Sequence, residues 1–528
     1  MMTTKRVSPQ QLKAMVHDGG ELALLDVREA GQFGESHLLF ATPVPYSRLE
    51  IDILALVPRQ SARLVLCDDG DLGVAELAAK RLQTIGYSDL AVLEGGTRAW
   101  AAAGHALFAG VNVPSKLFGE LVEHEYHTPR VTVTELARMK EAHEDFVIVD
   151  GRPFAEYQKM NIPGGVCCPN AELPYRIRGI VKDPQTKIVV NCAGRTRSIL
   201  GAQTLINFGV PNPVYALENG TQGWVLAGLE LERGAARRYP DAVNESALPA
   251  MRTQSAQLMQ RHAVETVSPT TVTAWLSEAN RTTYLLDVRT PEEFKAGSIP
   301  GAVHAPGGQL IQATDQWVGV RNARIVLIDS DGVRAPVVAT WLKQLGCEAY
   351  VVEGGIRANL KLRPAAKAPA PKLPLISAAE LKRALDANSC TAFDLGSSMQ
   401  YREAHVPASL WSIRSRIVQA AGGAKGTIVL IAADPDIARL AAVDLEESGI
   451  RDVKLLDGGR AAWIAAGYPT AGSPEIPPDP DCIDYLFFVH DRHAGNHAAM
   501  KQYLAWETGL IAQLDEQDRK LFRVGARP

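Results

Sequence analysis

Short apolar runs alternate along the chain with segments whose apolar residues recur at helical spacing. Four of these runs are "ARLVLC", "KIVVN", "ARIVLI" and "GTIVLI", and each precedes a loop and a segment such as "ELAAKRLQTIGY" or "ILGAQTLINFGV". Short apolar runs bounded by turn residues predict buried strands, and the segments between them predict covering helices. The pattern therefore predicts α/β units, each with a mostly parallel sheet flanked by helices.

Two landmarks recur four times and identify these units as repeats. The pattern apolar-apolar-Asp-x-Arg ends at Arg28, Arg152 and Arg289, and in the degraded form "AFDLG" at Gly396. Between 63 and 68 residues after each of these aspartates comes an acid followed by two small residues, at Glu94, Glu218, Glu353 and Asp457. Self-similarity at a nearly constant spacing is typical of tandem domains.

The repeats and the joints between them predict four domains and a tail. We expect domains over residues 1–110, 125–235, 262–362 and 373–471, and a helical tail over residues 480–528. The joints fall at residues 111–128, 236–262, 363–374 ("RPAAKAPAPKLP") and 472–480 ("GSPEIPPDP"). A chain of 528 residues agrees with this count, because domains usually contain about 100 to 200 residues.

Composition narrows the classes of function. Lys and Arg number 55 against 59 Asp and Glu, which leaves a net charge of -4 and gives no sign of a nucleic-acid groove. We expect no membrane span, since no apolar run reaches about 18 residues, and a cytoplasmic protein, since the N-terminus lacks the apolar core of a secretory signal. Seven cysteines without CxxC spacing indicate reduced, mostly buried side chains instead of disulfides or a zinc site.

Only one of the four units has a thiol where chemistry would take place. Aligning the four apolar strands puts Asp68, Cys192, Asp329 and Ala432 at the first loop position. A carboxylate or a methyl group cannot replace a thiol as nucleophile, so we expect the second domain to be catalytic and the other three inactive. Cys67 lies one residue earlier, where strand geometry should turn it into the core, and the first loop is expected to be one residue longer.

The segment "CAGRTRS" that begins at Cys192 predicts an anion cradle around a thiolate. Its two small residues let backbone N–H groups converge on the sulfur, and the helix that follows presents its positive end. We expect one of its two hydroxyls to cap that helix, and its two arginines to bind an oxyanion. The predicted substrate-binding residues are therefore Ala193, Gly194, Arg195, Thr196, Arg197 and Ser198.

These motifs together resemble the rhodanese superfamily. The resemblance rests on "LLDVRTPEEFKAGSIPGAVHAP" (285–306), "NIPGGVCCP" (161–169), the acid-Gly-Gly elements and the cysteine loop, and it covers nearly all of residues 10–470. It implies the rhodanese α/β fold and thiosulfate sulfurtransferase activity. The second unit departs from the family at Asn161, where histidine is usual, and at Asn219, where glycine is usual. We interpret both as turn chemistry, because Asn tolerates left-handed backbone.

The resemblance also implies a mechanism. The Cys192 thiolate would take the outer sulfur of thiosulfate or a similar small anionic donor, release sulfite and hold the sulfur as a persulfide. A thiol or cyanide acceptor would then remove it. No metal or organic cofactor is expected.

Two alternatives stay open. A cysteine-dependent phosphatase or arsenate reductase also surrounds an anion with a cysteine loop, but its Cys-x5-Arg spacing requires arginine where this chain has Ser198. A non-catalytic scaffold is compatible with three units that lack a nucleophile. Turnover of thiosulfate would separate these hypotheses.

Other residues that suggest chemistry have structural interpretations. The Asp-x-Arg pairs recur in units without a nucleophile, so we expect them to stabilise the fold through charge-assisted hydrogen bonds. Cys167 and Cys168 are expected to pack and not to act as resolving thiols. In the tail, His490, His493 and His497 have a spacing that a metal could use, but the segment is amphipathic. It predicts a docking or dimerisation helix, and with it a homodimer through the tail.

Overall fold

The computed structural model of the protein describes residues 4–71, 73–360 and 371–525, and it contains four five-stranded sheets of parallel strands. The strands are, by unit, β1 (Lys5–Val7), β2 (Ala23–Asp26), β3 (Thr42–Pro43), β4 (Leu64–Cys67) and β5 (Leu90–Leu93); β6 (Arg130–Val131), β7 (Phe146–Asp150), β8 (Val166–Cys167), β9 (Lys187–Asn191) and β10 (Val214–Leu217); β11 (Glu265–Val267), β12 (Thr283–Asp287), β13 (Val303–His304), β14 (Arg324–Ile328) and β15 (Glu348–Val352); and β16 (Leu375–Ile376), β17 (Cys390–Asp394), β18 (Leu410–Trp411), β19 (Thr427–Ile431) and β20 (Val453–Leu456).

Every sheet has the same strand order. The first strand of the unit lies at one edge beside the fifth, and then come the fourth, the second and the third. The fourth strand is therefore central, and the residue that follows it lies at the middle of the sheet's carboxyl edge. Four tandem α/β units with this order confirm the predicted fold class.

Helices flank each sheet and also form the tail. In the four units they span Pro9–His17, Ala30–Glu35, Leu49–Leu56, Val74–Thr84 and Gly96–Ala102; Val133–Glu141, Phe154–Lys159, Leu173–Ile180, Thr196–Phe208 and Gly220–Leu226; Pro269–Ser277, Pro291–Ala296, Gly307–Gln312 and Arg334–Gln344; and Ala378–Asp386, Ser398–Glu403, Arg414–Ala421, Pro435–Glu447 and Gly459–Ala465. The tail contains Phe487–His490, His497–Gly509 and Glu516–Arg519. Among the described residues, no helix is long and apolar enough to cross a membrane.

Both faces of each sheet are covered. In β9, Ile188 and Val190 pack in one apolar cluster, whereas Val189 between them packs in another on the opposite face. This alternation follows from the two-residue period of a strand, and it explains why the strand is apolar along its length. The first cluster continues through the first three units, whereas the fourth unit has cores of its own.

Helices fill the first two predicted joints. The connecting helix Val113–Tyr126 lies between the first two units, and Leu248–Arg261 lies between the second and third. The connecting helix packs closely on the helix after the cysteine loop, since a Cβ on Gly119 would lie 2.7 Å from Thr196 Cγ2. Most of the predicted linker at 363–374 lies outside the described residues.

The Asp-x-Arg motif forms the same buried ion pair in three units. Arg152 donates from Nε and Nη2 to the Asp150 carboxylate at 2.9 and 2.7 Å, and Nη2 also donates to the Met160 carbonyl at 2.6 Å. The equivalent pairs are Asp26 with Arg28 and Asp287 with Arg289. Because the pair recurs beside loops with and without a thiol, it holds the turn after the second strand, as predicted.

The Asn161 side chain makes the hydrogen bond that a histidine makes at the same position of the first and fourth units. Its Nδ2 donates to the Tyr157 carbonyl at 3.3 Å, and His37 and His405 donate from Nδ1 to the carbonyl at the same position of their units. The left-handed backbone we expected at Asn161 is wrong, because its φ is not positive, whereas Asn219 has a φ of 60° as expected. The amide therefore substitutes for the donor of the imidazole ring.

Candidate active site

Strand register identifies the residue that begins each loop. In the second sheet Asp150 pairs with Asn191, the last residue of β9, so Cys192 is the first residue of the loop. The aspartates at the same position of the other units pair with the last residues of β4, β14 and β19. The residues that follow are Asp68, Asp329 and Ala432. The strand alignment made from the sequence is therefore confirmed.

Cys67 faces the core of the first unit. Its side chain is fully buried in an apolar cluster with Leu12 and Trp100, and burial raises the pKa of its thiol well above the usual range. The residue at its position in the second unit is Asn191, whose Nδ2 donates to Asp150 Oδ2 at 3.1 Å. Cys67 therefore has the core position predicted for it.

Cys192 lies between the end of the central strand and the start of a helix. Its side chain is 2% exposed, and Ser198 Oγ donates to its Sγ at 3.1 Å. The helix Thr196–Phe208 begins just beyond it, and the first backbone N–H groups of a helix have no partner within that helix. A hydroxyl donor and a helix N-terminus both stabilise an anion that lies beside them. The loop thus provides the surroundings that a nucleophilic cysteine needs.

The predicted caps of this helix are wrong. Its N-cap residue is Arg195, and within the described residues no side chain caps it. Thr196 Oγ1 donates to Glu507 Oε1 at 2.7 Å, and the Ser198 hydroxyl is directed at the sulfur. Both hydroxyls have partners outside the helix end, so backbone N–H groups there are left for an anion.

The second small residue of each acid-Gly-Gly element packs under the loop. Gly220 has a φ of 53°, and a Cβ on it would lie 2.2 Å from the carbonyl oxygen of Cys192. Thr221 N donates to the same oxygen at 2.8 Å. The other units place a glycine equally close to the first carbonyl of their loops, at Gly96, Gly355 and Gly459. Only glycine fits here, which explains why the element recurs.

Arg197 is paired with Glu156 and contributes positive charge near the sulfur. Its two Nη atoms donate to the two carboxylate oxygens of Glu156, both at 2.9 Å. Burial opposes its charge, but Glu156 and the nearby Cys192 hold its pKa above the ordinary value. The same pair occurs in the third unit between Arg334 and Glu293. The pair therefore shapes the loop in both units, and in the second unit it keeps a cation close to the thiol.

Arg195 has partners that differ from the expected substrate. It donates from Nε and Nη2 to the Glu120 carboxylate at 2.8 and 2.9 Å, and it also pairs with Glu123. Both carboxylates lie on the connecting helix. The guanidinium thus fixes the loop to that helix, and the binding of an oxyanion by Arg195 and Arg197 stays a prediction.

Two of the three loops without a thiol carry a carboxyl group at the position of Cys192. Asp68 accepts hydrogen bonds from Gly70 N at 2.8 Å and Ala75 N at 3.0 Å. Asp329 accepts equivalent bonds from Gly332 N and Ala335 N at 2.9 and 2.8 Å. Ala75 lies seven residues after Asp68, whereas Ala335 lies six residues after Asp329. The loop of the first unit is therefore longer than that of the third, as predicted. In both units the carboxylate occupies the amides that could otherwise bind a substrate anion.

Four carboxylates of the site were not predicted from the sequence, namely Glu120, Glu123, Glu156 and Glu507. Glu156 could have been found by comparing the units, because Glu293 follows the third Asp-x-Arg motif at the same distance. Glu120 and Glu123 lie in a joint and Glu507 lies in the tail, outside the repeated landmarks. No internal comparison could have identified them.

The neighbouring cysteines have packing roles. Cys167 and Cys168 are almost completely buried, and burial raises the pKa of Cys167 to about 12. The Cys167 thiol donates to the Arg152 carbonyl at 3.5 Å. All seven cysteines of the chain are free thiols. The two neighbours therefore have the structural position predicted for them.

The tail docks on the body of the protein. Trp506 Nε1 donates to the Ala109 carbonyl at 2.9 Å, which fixes the tail helix His497–Gly509 beside the connecting helix. Within the described residues, no three His, Cys, Asp or Glu side chains are grouped to hold a metal ion, and the His493 side chain lies outside the description. Docking is thus intramolecular, and the homodimer stays a prediction.

Comparison with known proteins places these features in a family. The rhodanese-like domain model matches residues 8–103, 132–227 and 268–361. The crystal structure of a thiosulfate sulfurtransferase from Pseudomonas aeruginosa superimposes with a TM-score of 0.91 and 41% identity, covering 99% of this chain and 100% of that one.

Two relatives from Mycobacterium tuberculosis match single units. An HTH-type transcriptional regulator is 36% identical over 105 residues, which cover 20% of this chain and 45% of the regulator. A protein named "Probable adenylyltransferase/sulfurtransferase MoeZ" is 31% identical over 96 residues, or 18% of this chain and 24% of that protein. The matched segment spans less than half the length of each.

Proposed function

Because the chain belongs to the family of proteins with rhodanese-like domains, we propose that it is a sulfurtransferase whose active site is the cysteine loop of the second unit. The observation that carries the proposal is the thiol of Cys192 at the position where strand register puts a carboxylate or a methyl group in the other units. The likeness to a thiosulfate sulfurtransferase over the whole chain supports thiosulfate as the donor.

In the first step the Cys192 thiolate attacks the outer sulfur of thiosulfate. A bond forms between Sγ and that sulfur, the S–S bond of thiosulfate breaks, and sulfite leaves with the electron pair. The transferred sulfur stays on the protein as a persulfide anion. No outside oxidant or reductant is consumed, because the donor supplies the sulfur at its final oxidation level.

In the second step an acceptor restores the thiolate. The carbon of cyanide attacks the terminal sulfur of the persulfide, the Sγ–S bond breaks, and thiocyanate leaves. A thiol reacts in the same way as its thiolate and becomes a persulfide itself. Neither step requires a metal or an organic cofactor.

The loop supplies hydrogen-bond donors that are in place before the reaction. Uncapped amides at the start of the helix Thr196–Phe208 can bind the persulfide anion. The Ser198 hydroxyl already contacts the sulfur, and Arg197 adds fixed charge. Such fixed donors stabilise the transferred sulfur without reorganisation.

The other three units have structural or partner-binding roles in this proposal. Asp68 and Asp329 fill their loops with carboxyl groups that accept the hydrogen bonds of the loop amides, and Ala432 has no reactive group. Their shared core with the second unit supports a structural role for the first and third. We place the protein in the cytoplasm, where its seven thiols would remain reduced.

We expect the full-length protein to form thiocyanate from thiosulfate and cyanide with ping-pong kinetics. A persulfide intermediate requires sulfite to leave before the acceptor reacts, so double-reciprocal plots should give parallel lines. An aryl phosphate serves as the control substrate and should not be hydrolysed. Hydrolysis of the phosphate without thiosulfate turnover would favour the phosphatase alternative, and no turnover of either substrate would favour a scaffold.

A further inference from the structure

Glu507 of the tail helix reaches the cysteine loop. Its side chain is completely buried, and its Oε1 accepts hydrogen bonds from Thr196 Oγ1 at 2.7 Å and from Lys116 Nζ at 2.9 Å. Its Oε2 has no hydrogen-bond partner among the described residues, and it lies 3.0 Å from the place where a Cβ on Gly194 would stand. A carboxylate more than 300 residues away in sequence therefore borders two residues of the predicted cradle.

The charges of this cluster keep Glu507 ionised. Burial opposes its charge, but Lys116, Thr196 and Arg195 outweigh burial and hold its pKa below the ordinary value. Lys116 lies on the connecting helix, as does Glu120, which holds Arg195. Two helices therefore hold neighbouring residues of the loop. The connecting helix binds Arg195, and the tail helix binds Thr196.

Other contacts hold the tail helix independently of Glu507. Trp506 donates to the Ala109 carbonyl, and its ring packs so closely on Gly110 that a Cβ there would lie 2.3 Å from it. A change confined to the Glu507 side chain should therefore leave the helix docked.

We infer that Glu507 is a positioning residue for the cysteine loop, through which the tail helix sets the rate of sulfur uptake by Cys192. This inference rests on the proposed sulfurtransferase function. Thr196 is the first residue of the helix whose amides face the loop, and Gly194 lies within the loop. Glu507 accepts a hydrogen bond from Thr196 and lies against Gly194, so it fixes the backbone amides of this part of the loop in the geometry that binds the persulfide anion. Preorganisation of this kind affects the chemical step more than donor binding.

The Glu507→Asp variant separates loop contact from charge. Aspartate keeps the anion that Lys116 needs, but its shorter side chain withdraws the carboxylate from Thr196 and Gly194. We expect kcat with thiosulfate to fall about tenfold, while KM stays within about twofold of the parent. Glu516→Asp is the matched control, because Glu516 pairs with Lys520 on the exposed end of the same tail. The control should leave kcat unchanged.

A second variant tests the route. Thr196→Val removes the hydroxyl that meets Glu507 and keeps the shape of the side chain, so the double variant should be no slower than the slower single variant. Additive losses would overturn the assigned route. A Glu507→Asp protein with a lower thermal midpoint but parental kcat would show that the tail is structural only, and would overturn the inference.

The rate of alkylation of Cys192 needs no sulfur transfer, so it tests the role of Glu507 independently of the proposed function. Alkylation of Cys192 by iodoacetamide, followed by peptide mass mapping, reports the surroundings of the sulfur directly. We expect Glu507→Asp to change this rate at least about fivefold and Glu516→Asp to leave it unchanged. Absence of thiosulfate turnover in the parent would reject the proposed function alone, whereas equal alkylation rates would reject the role of Glu507.

Discussion

Replacing Cys192 by serine is expected to reduce sulfur transfer from thiosulfate to cyanide by more than about a thousandfold. A hydroxyl cannot take up the sulfane sulfur as a persulfide, so the covalent route is lost and not merely slowed. Serine has nearly the shape of cysteine, and the Ser198 hydroxyl can donate to its oxygen as it does to the sulfur. The initial rate of thiocyanate formation at saturating thiosulfate measures the effect.

The control for this variant is Cys390→Ser. Cys390 begins the second strand of the fourth unit, is partly exposed and lies outside the cysteine loop, so this change should keep parental turnover. Thermal unfolding of both variants shows that the fold is retained. Residual activity above about a tenth of the parent in Cys192→Ser would contradict the assignment of the nucleophile.

Replacing Arg197 by alanine is expected to lower kcat/KM for thiosulfate by roughly tenfold or more, because a hydrogen bond from a charged group contributes about 1.5 to 3 kcal/mol. The side chain places a guanidinium close to Cys192, where both the donor and the persulfide are anionic. Steady-state kinetics with thiosulfate measure the loss. Arg195→Ala should act through the connecting helix, so its effect should be similar for charged and uncharged sulfur donors.

Glu156→Gln shows whether Arg197 acts by its charge or only by its ion pair. The Gln variant removes the negative charge but keeps the cation of Arg197, whose side chain is 13% exposed, and the amide oxygen of Gln can still accept one of the two hydrogen bonds from Arg197. We expect kcat/KM to stay within about threefold of the parent. A loss as large as that of Arg197→Ala would show that the ion pair holds the loop and that the cation has no direct part in binding the donor.

The repeats made much of this site predictable. Apolar patterning alone aligned the four central strands, and strand register confirms that Cys192 follows β9 as Asp68 follows β4. The buried position of Cys67 followed from the alternation of side chains along a strand. These predictions succeeded because backbone geometry determines them locally, without reference to distant parts of the chain.

Contacts between distant segments could not be predicted in the same way. Arg195 looked available for a substrate because Glu120 lies in a joint far from it in sequence, and Thr196 looked like a helix cap because Glu507 lies in the tail. Hydroxyl and guanidinium groups have several equivalent partners in principle, and tertiary packing decides among them. Asn161 was misinterpreted for a different reason, since its amide donates to the Tyr157 carbonyl only four residues earlier, a side-chain hydrogen bond that turn propensity does not describe.

The central claim is that this chain carries one sulfur at a time, on Cys192. The full-length protein is incubated with thiosulfate, freed of excess donor, weighed intact by mass spectrometry under non-reducing conditions, and then mapped by peptide. We predict a gain of one sulfur atom per chain, located on the peptide that contains Cys192, and its loss when cyanide is added. Two sulfur atoms per chain, or stable persulfide on Cys67 instead, would contradict the account and show that the first unit is active.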